Sequence, residues 1–454
     1  PFDRIVFTKQ IRRDYTLIVP QMAPMQFDLF QTALRNGGYN AVVLPAVDKC
    51  AVDTGLKYIN NDACYPTIVT LGQIISALQS GEFDLDRTAV IITQTGGGCR
   101  ASNYIALLRK ALKEIGMAQV PVVSINFSKA LETDPGFTLS RKLVVGMVYA
   151  VIYGDLFMRL TNATRPYELV PGSVDRLYRR WNEIAKQNVV AVNKRDFKKN
   201  IRQIVEDFDT IPLRADVRKP KVGVVGEILV KYHPNANNDI VGIIEREGGE
   251  AVVPDLLDFL LYCLKNPDFN HPKMAGKKAM QVGCRLGIQY IYSYRKYAER
   301  ALERSHRFEK PKRIDEIAEK AERITSLGTQ CGEGWILAGE MMEFVDSGVE
   351  NIVCLQPFAC LPNHVVGKGM IRPMRKFDPR SNIVAIDYDP GSSEVNQLNR
   401  IKLMMATAYK NMEADETDDD AETPSAGAAS CRGSSAEKTA SRPADEAAAA
   451  AIIR

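Results

Sequence analysis

Apolar residues along this chain follow two spacings in turn, and each spacing predicts a different element. In the first part, the short apolar runs "YTLIVP", "NAVVLP", "TAVIITQT" and "VPVVSINF" predict buried strands. Stretches with apolar residues every three or four positions lie between them, such as "ASNYIALLRKALKEIG", and these predict helices. Strands that alternate with helices indicate a parallel sheet.

The same alternation begins again after a helical stretch at about residues 138–208. "KVGVVGEILV", "EAVVPDLLDF", "ENIVCLQPFACLPNH" and "NIVAIDYDP" each read as a strand that runs into a loop or a helix. We therefore predict an α/β fold with two Rossmann/flavodoxin-like parallel-sheet domains, residues 1–215 and 216–410, which carry helical insertions and face a shared cleft.

Two further stretches stand apart from this alternation. The apolar run 143–154 is too short to span a bilayer and is followed at once by Asp155, so we expect a buried helix and no membrane association. Residues 411–454 are acidic and then alanine-rich, with ten Asp or Glu and four Lys or Arg. Such a composition buries too little apolar surface to offset the cost of ordering, and we predict a disordered tail.

Composition narrows the class of protein. No charged and apolar leader of the secretory type opens the sequence, so we expect a cytoplasmic protein, and a start at Pro1 leaves open that the chain is part of a longer polypeptide. Nine cysteines argue against a disulfide framework, because reducing compartments keep thiols reduced and an odd number cannot pair completely. The thiols are then buried packing residues, a redox pair or metal ligands.

Four cysteines share one sequence context, at or just beyond a predicted strand end and beside Gly, Pro or Asn: Cys64, Cys99, Cys354 and Cys360. In open α/β sheets ligands bind outside the carboxyl ends of the strands, so facing units would bring these loops to one cleft. Cys50 and Cys331 have similar loop contexts and make six possible ligands. Cys263 and Cys284 lie in helical stretches where packing is the favoured interpretation.

Zinc fits these cysteines poorly, because there is no short Cys-x-x-Cys pair and only four histidines are scattered along the chain. Thiolates from separate loops suit an iron–sulfur cluster, with unliganded buried thiols as the alternative. Cys99 follows three glycines, including Gly98, where backbone N–H groups converge ahead of a helix.

Polar residues next to the cysteines are candidates for supporting roles. Glu333 and His364 could move protons, with a hydrogen bond to sulfur as the alternative, and Arg100, Asn103 and Gln356 could bond to cluster or substrate. There is no P-loop motif, and "GVVGEI" lacks the full nicotinamide fingerprint. The basic stretch 176–199 has no aromatic stacking platform, so we expect no nucleic acid partner.

Long, unusual motifs carry a resemblance over nearly all of residues 15–410. The stretches "TGGGCRASN", "DTGLKYINNDACYP", "GDLFMRLTNATRPYE", "GEGW" and "IDYDPGSSEVNQLNRIKL" resemble the 2-hydroxyacyl-CoA dehydratase superfamily, in particular the C-terminal domain of acyl-CoA dehydratase activase-related proteins. The resemblance implies a [4Fe–4S] cluster on Cys64, Cys99 and Cys360, with Cys354 next in line. A double-cubane [8Fe–9S] cluster, as in related proteins, would add Cys50 and Cys331.

The resemblance also implies a function. An ATP-hydrolysing activator with its own [4Fe–4S] cluster, separate or fused, would deliver low-potential electrons to this chain under anaerobic conditions. The chain would then act as a lyase on a 2-hydroxyacyl-CoA by radical dehydration, or as a double-cubane reductase of small molecules. A homo- or heterodimer is expected. A non-catalytic α/β ligand-binding or scaffold module is the alternative from another class.

Overall fold

The computed structural model describes residues 4–46, 49–95, 97–125, 134–214 and 216–422. In these ranges eight strands form two four-stranded parallel sheets flanked by helices, which confirms the predicted α/β class with two parallel sheets. All eight strands coincide with apolar runs identified in the sequence, because a strand covered on both faces is apolar along its whole length.

The first sheet has the strand order β2-β1-β3-β4, and every neighbouring pair is parallel. Its strands are β1 Thr16–Val19, β2 Asn40–Val43, β3 Thr88–Thr93 and β4 Val122–Ile125. The helices of this part of the chain are α1 Ile11–Asp14, α2 Pro24–Asn36, α3 Lys49–Tyr58, α4 Tyr65–Gln79, α5 Tyr104–Glu114, α6 Arg141–Thr164, α7 Ser173–Ala191 and α8 Lys194–Asp209.

The second sheet repeats the arrangement of the first, in the order β6-β5-β7-β8 and again parallel. Its strands are β5 Lys221–Gly226, β6 Glu250–Val252, β7 Asn351–Pro357 and β8 Asn382–Tyr388. The helices are α9 Ile228–Tyr232, α10 Ile240–Arg246, α11 Leu256–Lys273, α12 Lys278–Leu302, α13 Ile314–Glu322, α14 Gly334–Asp346, α15 Leu361–Val366, α16 Ile371–Phe377 and α17 Glu394–Glu422.

Helix α6 contains the apolar run that predicts a buried helix, and it is a core helix. The segment from Arg141 to Tyr167 is long and apolar enough to cross a membrane, but 78% of its most apolar window is buried inside the fold. Its Tyr149 ring stacks on Phe197 of α8 at 4.0 Å between centroids. Because apolar side chains from both sheets belong to one continuous core, residues 1–410 form a single compact unit, and the predicted division at residue 215 falls between its two sheets.

A group of buried charges, here called the ion network, joins α6 to α11 and α12. Arg159 donates to Asp255 at 2.7 Å, and Arg295 donates to Asp255 at 2.9 Å and to Asp258 at 2.6 Å. Asp155 accepts from the first two backbone N–H groups of α11 at 3.0 and 2.9 Å. It thereby satisfies donors that a helix N-terminus leaves unpaired.

Helix α17 continues beyond the predicted end of the folded part. Residues 411–422, which the sequence assigns to a disordered tail over 411–454, continue this helix. Extending an existing helix by residues such as Glu, Ala and Met requires no new nucleation and adds one backbone hydrogen bond per residue. The remainder of the predicted tail, residues 423–454, lies outside the described residues.

Candidate functional site

Three of the predicted ligands stand at the starts of helices. Cys64 directly precedes α4, Cys360 directly precedes α15, and Cys99 precedes a 3₁₀ turn at Arg100–Ser102 that leads into α5. Each has an extended backbone. Backbone N–H groups just downstream face the sulfurs and lower their pKa values, as Ala101 does for Cys99. These positions favour negative charge on sulfur.

The three thiols come from distant parts of the sequence and share one site. The charge of Cys64 contributes to raising the pKa of Cys99 and of Cys360, so its sulfur lies within electrostatic range of both. A backbone hydrogen bond of 3.1 Å from Tyr65 N–H to the Phe358 carbonyl ties the start of α4 to the loop that carries Cys360. The site is therefore built from both halves of the chain.

Burial dominates the electrostatics of these thiols. It raises the pKa of Cys99 to about 12, with further contributions from the charges of Glu333 and Glu227, and it raises the pKa values of Cys64 and Cys360. Without a cation, all three thiols are protonated at neutral pH. A bound metal centre would replace these protons, since thiolates are the form that ligates metal.

Two buried glutamates, here called the acidic pair, lie beside the thiols. Glu227 directly follows β5, and its carboxylate accepts from Val230 N–H at 2.9 Å. Glu333 accepts from Ile228 N–H at 3.0 Å through Oε1, while its buried Oε2 has no hydrogen-bond partner among the described residues. Burial raises the pKa of both, and for Glu227 the charge of Glu333 raises it further. With its pKa at about 8, Glu227 holds a proton at neutral pH.

Lys231, whose charge acts on the acidic pair, is hydrogen-bonded to another carboxylate. Lys231 Nζ donates to both oxygens of Glu340, at 2.9 and 3.1 Å, and only 4% of each side chain is exposed. The Lys231 charge lowers the pKa of Glu227 and Glu333, but less than burial raises it. The sequence predicts Glu333 and misses Glu227, which stands in "GVVGEI", a stretch interpreted as tight packing. An acidic residue directly after a buried apolar strand is the signal that could have found it.

Cys331 is exposed and contacts the loop of Cys99. Gly98 N–H donates to Cys331 Sγ at 3.4 Å. A Cβ atom at Gly97 or Gly98 would stand 3.5 or 3.4 Å from that sulfur, and one at Gly332 would stand 4.0 Å from Cys99 Sγ. The glycine run predicted to bring N–H groups together thus directs one of them at a second cysteine.

The four neighbouring cysteines occupy matching places in the two halves. Cys99 follows β3 and Cys360 follows β7, which are the third strands of their halves. Cys64 precedes α4, the last α-helix before β3, and Cys331 precedes α14, the last α-helix before β7. Each half therefore supplies one cysteine before the helix and one after the strand.

The other two predicted ligands lie elsewhere. Cys354 is inside β7, opposite Val225 and Ala385 and fully buried, so it does not flank a loop as the sequence suggests. Its sulfur is 3.9 Å from Asn363 Oδ1 and is otherwise surrounded by an apolar cluster. Cys50 is exposed on α3. Among the described residues, the structure shows no contact between either sulfur and the three thiols of the site.

The remaining residues predicted for the site differ in how far they are buried. Arg100, Asn103 and His364 are exposed, and the backbone N–H of His364 donates to the Cys360 carbonyl at 3.1 Å. Gln356 is fully buried near the end of β7 and donates to the Pro357 carbonyl at 3.0 Å. Its Oε1 has no partner among the described residues, so this amide keeps an acceptor available.

Single ions and clusters place different demands on the spacing of their thiolate ligands. Among the described residues, no three His, Cys, Asp or Glu side chains converge as ligands of a single ion. A single ion with bonds of about 2.3 Å needs its thiolates about 4 Å apart. A cubane cluster attaches each thiolate to a different iron and therefore accepts a wider set.

Comparison of the chain with protein-family models and with curated proteins finds no match. Its chemistry is therefore inferred from the site itself. Buried thiols that face backbone N–H groups can bind a soft, anionic metal centre, and buried carboxyls with raised pKa values beside them can supply protons to a molecule reduced there.

Proposed function

We propose that the chain is the iron–sulfur electron-accepting component of an ATP-driven, low-potential reductase or dehydratase system, with Cys64, Cys99 and Cys360 holding a [4Fe–4S] cluster. The observation that carries the proposal is the grouping of these three thiols, drawn from two sheets, at the starts of helices in one buried site. The resemblance to the 2-hydroxyacyl-CoA dehydratase superfamily supports the same cysteines.

The environment of the thiols suits an anionic cluster. Burial excludes water, and the N–H groups that face each sulfur offset the negative charge that four-iron clusters gain on reduction. A bound cluster would accept one electron at a time and pass it to a substrate. Three protein thiolates would leave one iron of a cubane free for a substrate oxygen.

The acidic pair supplies the proton chemistry of the proposal. Glu333 Oε2 is buried and lacks a partner among the described residues, and burial raises the pKa of this carboxyl, so it can donate a proton to a leaving hydroxyl or to a reduced product. Glu227 shares that proton load, because the two carboxylates repel each other when both are ionised. His364 is exposed beside Cys360 and can connect the site with solvent protons.

The other parts of the system follow from the resemblance. They are an ATP-hydrolysing activator as electron donor, a 2-hydroxyacyl-CoA as substrate and a cytoplasmic, anaerobic setting. The buried placement of α6 agrees with a protein that does not cross a membrane. Exposed apolar side chains at Phe358, Leu361 and Val365 surround Cys360 and offer a surface for the activator or for the acyl chain.

Anaerobic reconstitution with iron and sulfide tests the proposal. The parent chain should bind about four irons with a matching amount of sulfide, and the Cys64→Ser, Cys99→Ser and Cys360→Ser variants should each lose most of this iron. Cys284→Ser is the matched control, since this half-buried thiol of α12 lies outside the site and its loss should leave iron content unchanged. Iron near zero in the reconstituted parent would instead favour a scaffold without a cluster.

A double-cubane cluster is the second candidate, because Cys331 lies against the loop of Cys99 and could join the ligand set. It requires about eight irons and six thiolates, including Cys50. Cys50→Ser and Cys331→Ser should then lose iron as Cys99→Ser does. If both retain the parent's iron content, the smaller cluster remains and the product is that of a dehydratase rather than of a double-cubane reductase.

A further inference from the structure

Two cysteine loops from opposite halves of the chain touch each other. Cys331 Sγ accepts the backbone N–H of Gly98 at 3.4 Å, and the Cβ position of Gly332 is 4.0 Å from Cys99 Sγ. Cys331 Sγ therefore lies against Gly98, which precedes Cys99, and Cys99 Sγ lies against Gly332, which follows Cys331. This reciprocal contact distinguishes Cys99 and Cys331 from the other thiols.

The backbone on both sides allows the sulfurs to come closer. Gly97 has φ +82° and Gly332 has φ +58°, which is the left-handed region that glycine adopts without strain. A disulfide requires an S–S distance of about 2 Å and a restricted dihedral angle, so flanking segments that adjust easily favour its formation. Glycines flank the reacting pair on both loops.

The two thiols differ in access to solvent. Cys331 is exposed, whereas Cys99 is only partly accessible. A low-molecular-weight disulfide therefore reaches Cys331 first, and the Gly98 N–H that points at this sulfur stabilises the charge it carries during exchange. Cys99 is then the neighbouring thiol that can displace the small molecule.

We propose that Cys331 and Cys99 form a redox-active pair that closes into a disulfide across the two halves whenever these thiols are free of metal, with Cys331 as the attacking thiol and Cys99 as the resolving thiol. The pair depends only on the contact between the two loops. It stands whether or not the site holds an iron–sulfur cluster.

The reaction with glutathione disulfide consists of two exchanges. The Cys331 thiolate, after losing its proton to solvent, attacks one glutathione sulfur, and the other glutathione leaves as a thiolate and takes up a proton. Cys99 then loses its proton and attacks Cys331 Sγ, so that the bond between Cys331 and glutathione breaks and a second glutathione leaves. Two protein thiols are oxidised by two electrons in all, and one glutathione disulfide is reduced to two thiols.

Peptide mapping by mass spectrometry tests the pair in the full chain after removal of metal with a chelator. Incubation with glutathione disulfide should give a peptide cross-linked between Cys99 and Cys331, and dithiothreitol should release it. In Cys99→Ser no thiol is present at position 99 to displace glutathione, so a glutathione adduct should accumulate on Cys331. In Cys331→Ser the cross-link should be lost and Cys99 should stay reduced.

Cys50→Ser is the matched control, because it removes another exposed thiol and should leave the cross-link intact. A glutathione adduct that persists on Cys331 in the parent chain would overturn the proposal, as would a cross-link from Cys99 to Cys64. The parent chain alone gives this result, so the test does not depend on how well the variants fold. Reconstitution with iron is a separate measurement, and either result can fail without the other.

Discussion

The ion network and the acidic pair are both groups of buried charged side chains, and they differ in how the charges are balanced. In the ion network, two arginines face Asp255 and Asp258 at 2.6 to 2.9 Å. Burial acts to raise the pKa of Asp255, but Arg159 and Arg295 outweigh it and hold the pKa below its ordinary value. In the acidic pair, burial and repulsion prevail and the pKa of Glu227 is raised.

This difference separates a structural group from a functional one. Paired charges such as Arg159 with Asp255 stay ionised and connect elements of the fold. Carboxylates without a cation of their own exist buried only in the protonated form, which is costly for folding and useful for proton transfer. The acidic pair has this second character, and it lies beside the thiols of the candidate site.

The largest effect is expected from breaking the ion network. Arg295→Met leaves Asp255 and Asp258 buried with less than their full compensation, and the free energy of unfolding should fall by about 3–5 kcal/mol. Urea denaturation measures the loss. Arg300→Met, at an exposed position of the same helix, should change it by less than about 0.5 kcal/mol. If both variants change the free energy of unfolding equally, the ion network does not have the structural role assigned to it.

An intermediate effect is expected from Lys231→Met, which removes the cation that is bonded to Glu340. Burial raises the pKa of Glu340 to about 7, so this carboxylate can take up a proton instead of remaining as an unpaired charge. The free energy of unfolding should fall by about 2 kcal/mol at pH 8 and by clearly less at pH 6. If the loss of unfolding free energy does not vary with pH, Glu340 does not take up a proton when Lys231 is absent. Glu340 would then behave like the carboxylates of the ion network.

The smallest effect, and one of opposite sign, is expected from Glu227→Gln. Burial raises the pKa of Glu227 from 4.5 to about 8, so the folded chain binds this proton more tightly than the unfolded chain does. The resulting stability is fully present below about pH 4.5 and is lost as the pH rises toward 8. The parent should therefore lose stability over this range, and the variant, which cannot ionise at this position, should lose less.

Denaturation curves at several pH values between 5 and 8 measure this slope. Glu319→Gln, at an exposed position of α13, should leave the slope of the parent unchanged. If Glu227→Gln has the same slope as the parent, Glu227 is ionised in the fold and the acidic pair does not differ from the ion network.

The sequence predicts the fold well because burial on both faces leaves a direct signal in parallel strands. From its residues alone the sequence groups Cys64, Cys99, Cys354 and Cys360 in one cleft, since ligands of open α/β sheets bind outside the carboxyl ends of the strands, and the set of three follows only from the resemblance. It does not predict that Cys354 is a core residue, because an apolar run does not show where its strand ends, and β7 continues three residues beyond this cysteine.

The electrostatics of the site are harder to predict. The raised pKa of Glu227 depends on burial and on the charge of Glu333, which directly precedes α14 and is more than a hundred positions away in the chain. The local sequence around Glu227 does not reveal either cause. The contact of Cys331 with Gly98 has the same origin. Loop cysteines can be identified from sequence, but which loops meet is decided by how the two sheets pack.

The matching strand orders and cysteine positions of the two halves have a consequence for assembly. The chain is organised as two versions of one unit joined in a single polypeptide, each with one cysteine before a helix and one after the next strand. Linkage on one chain gives the halves an effective concentration on the order of millimolar or higher. Completion of the site therefore does not depend on dilution, whereas a site shared between two separate subunits would come apart at low protein concentration.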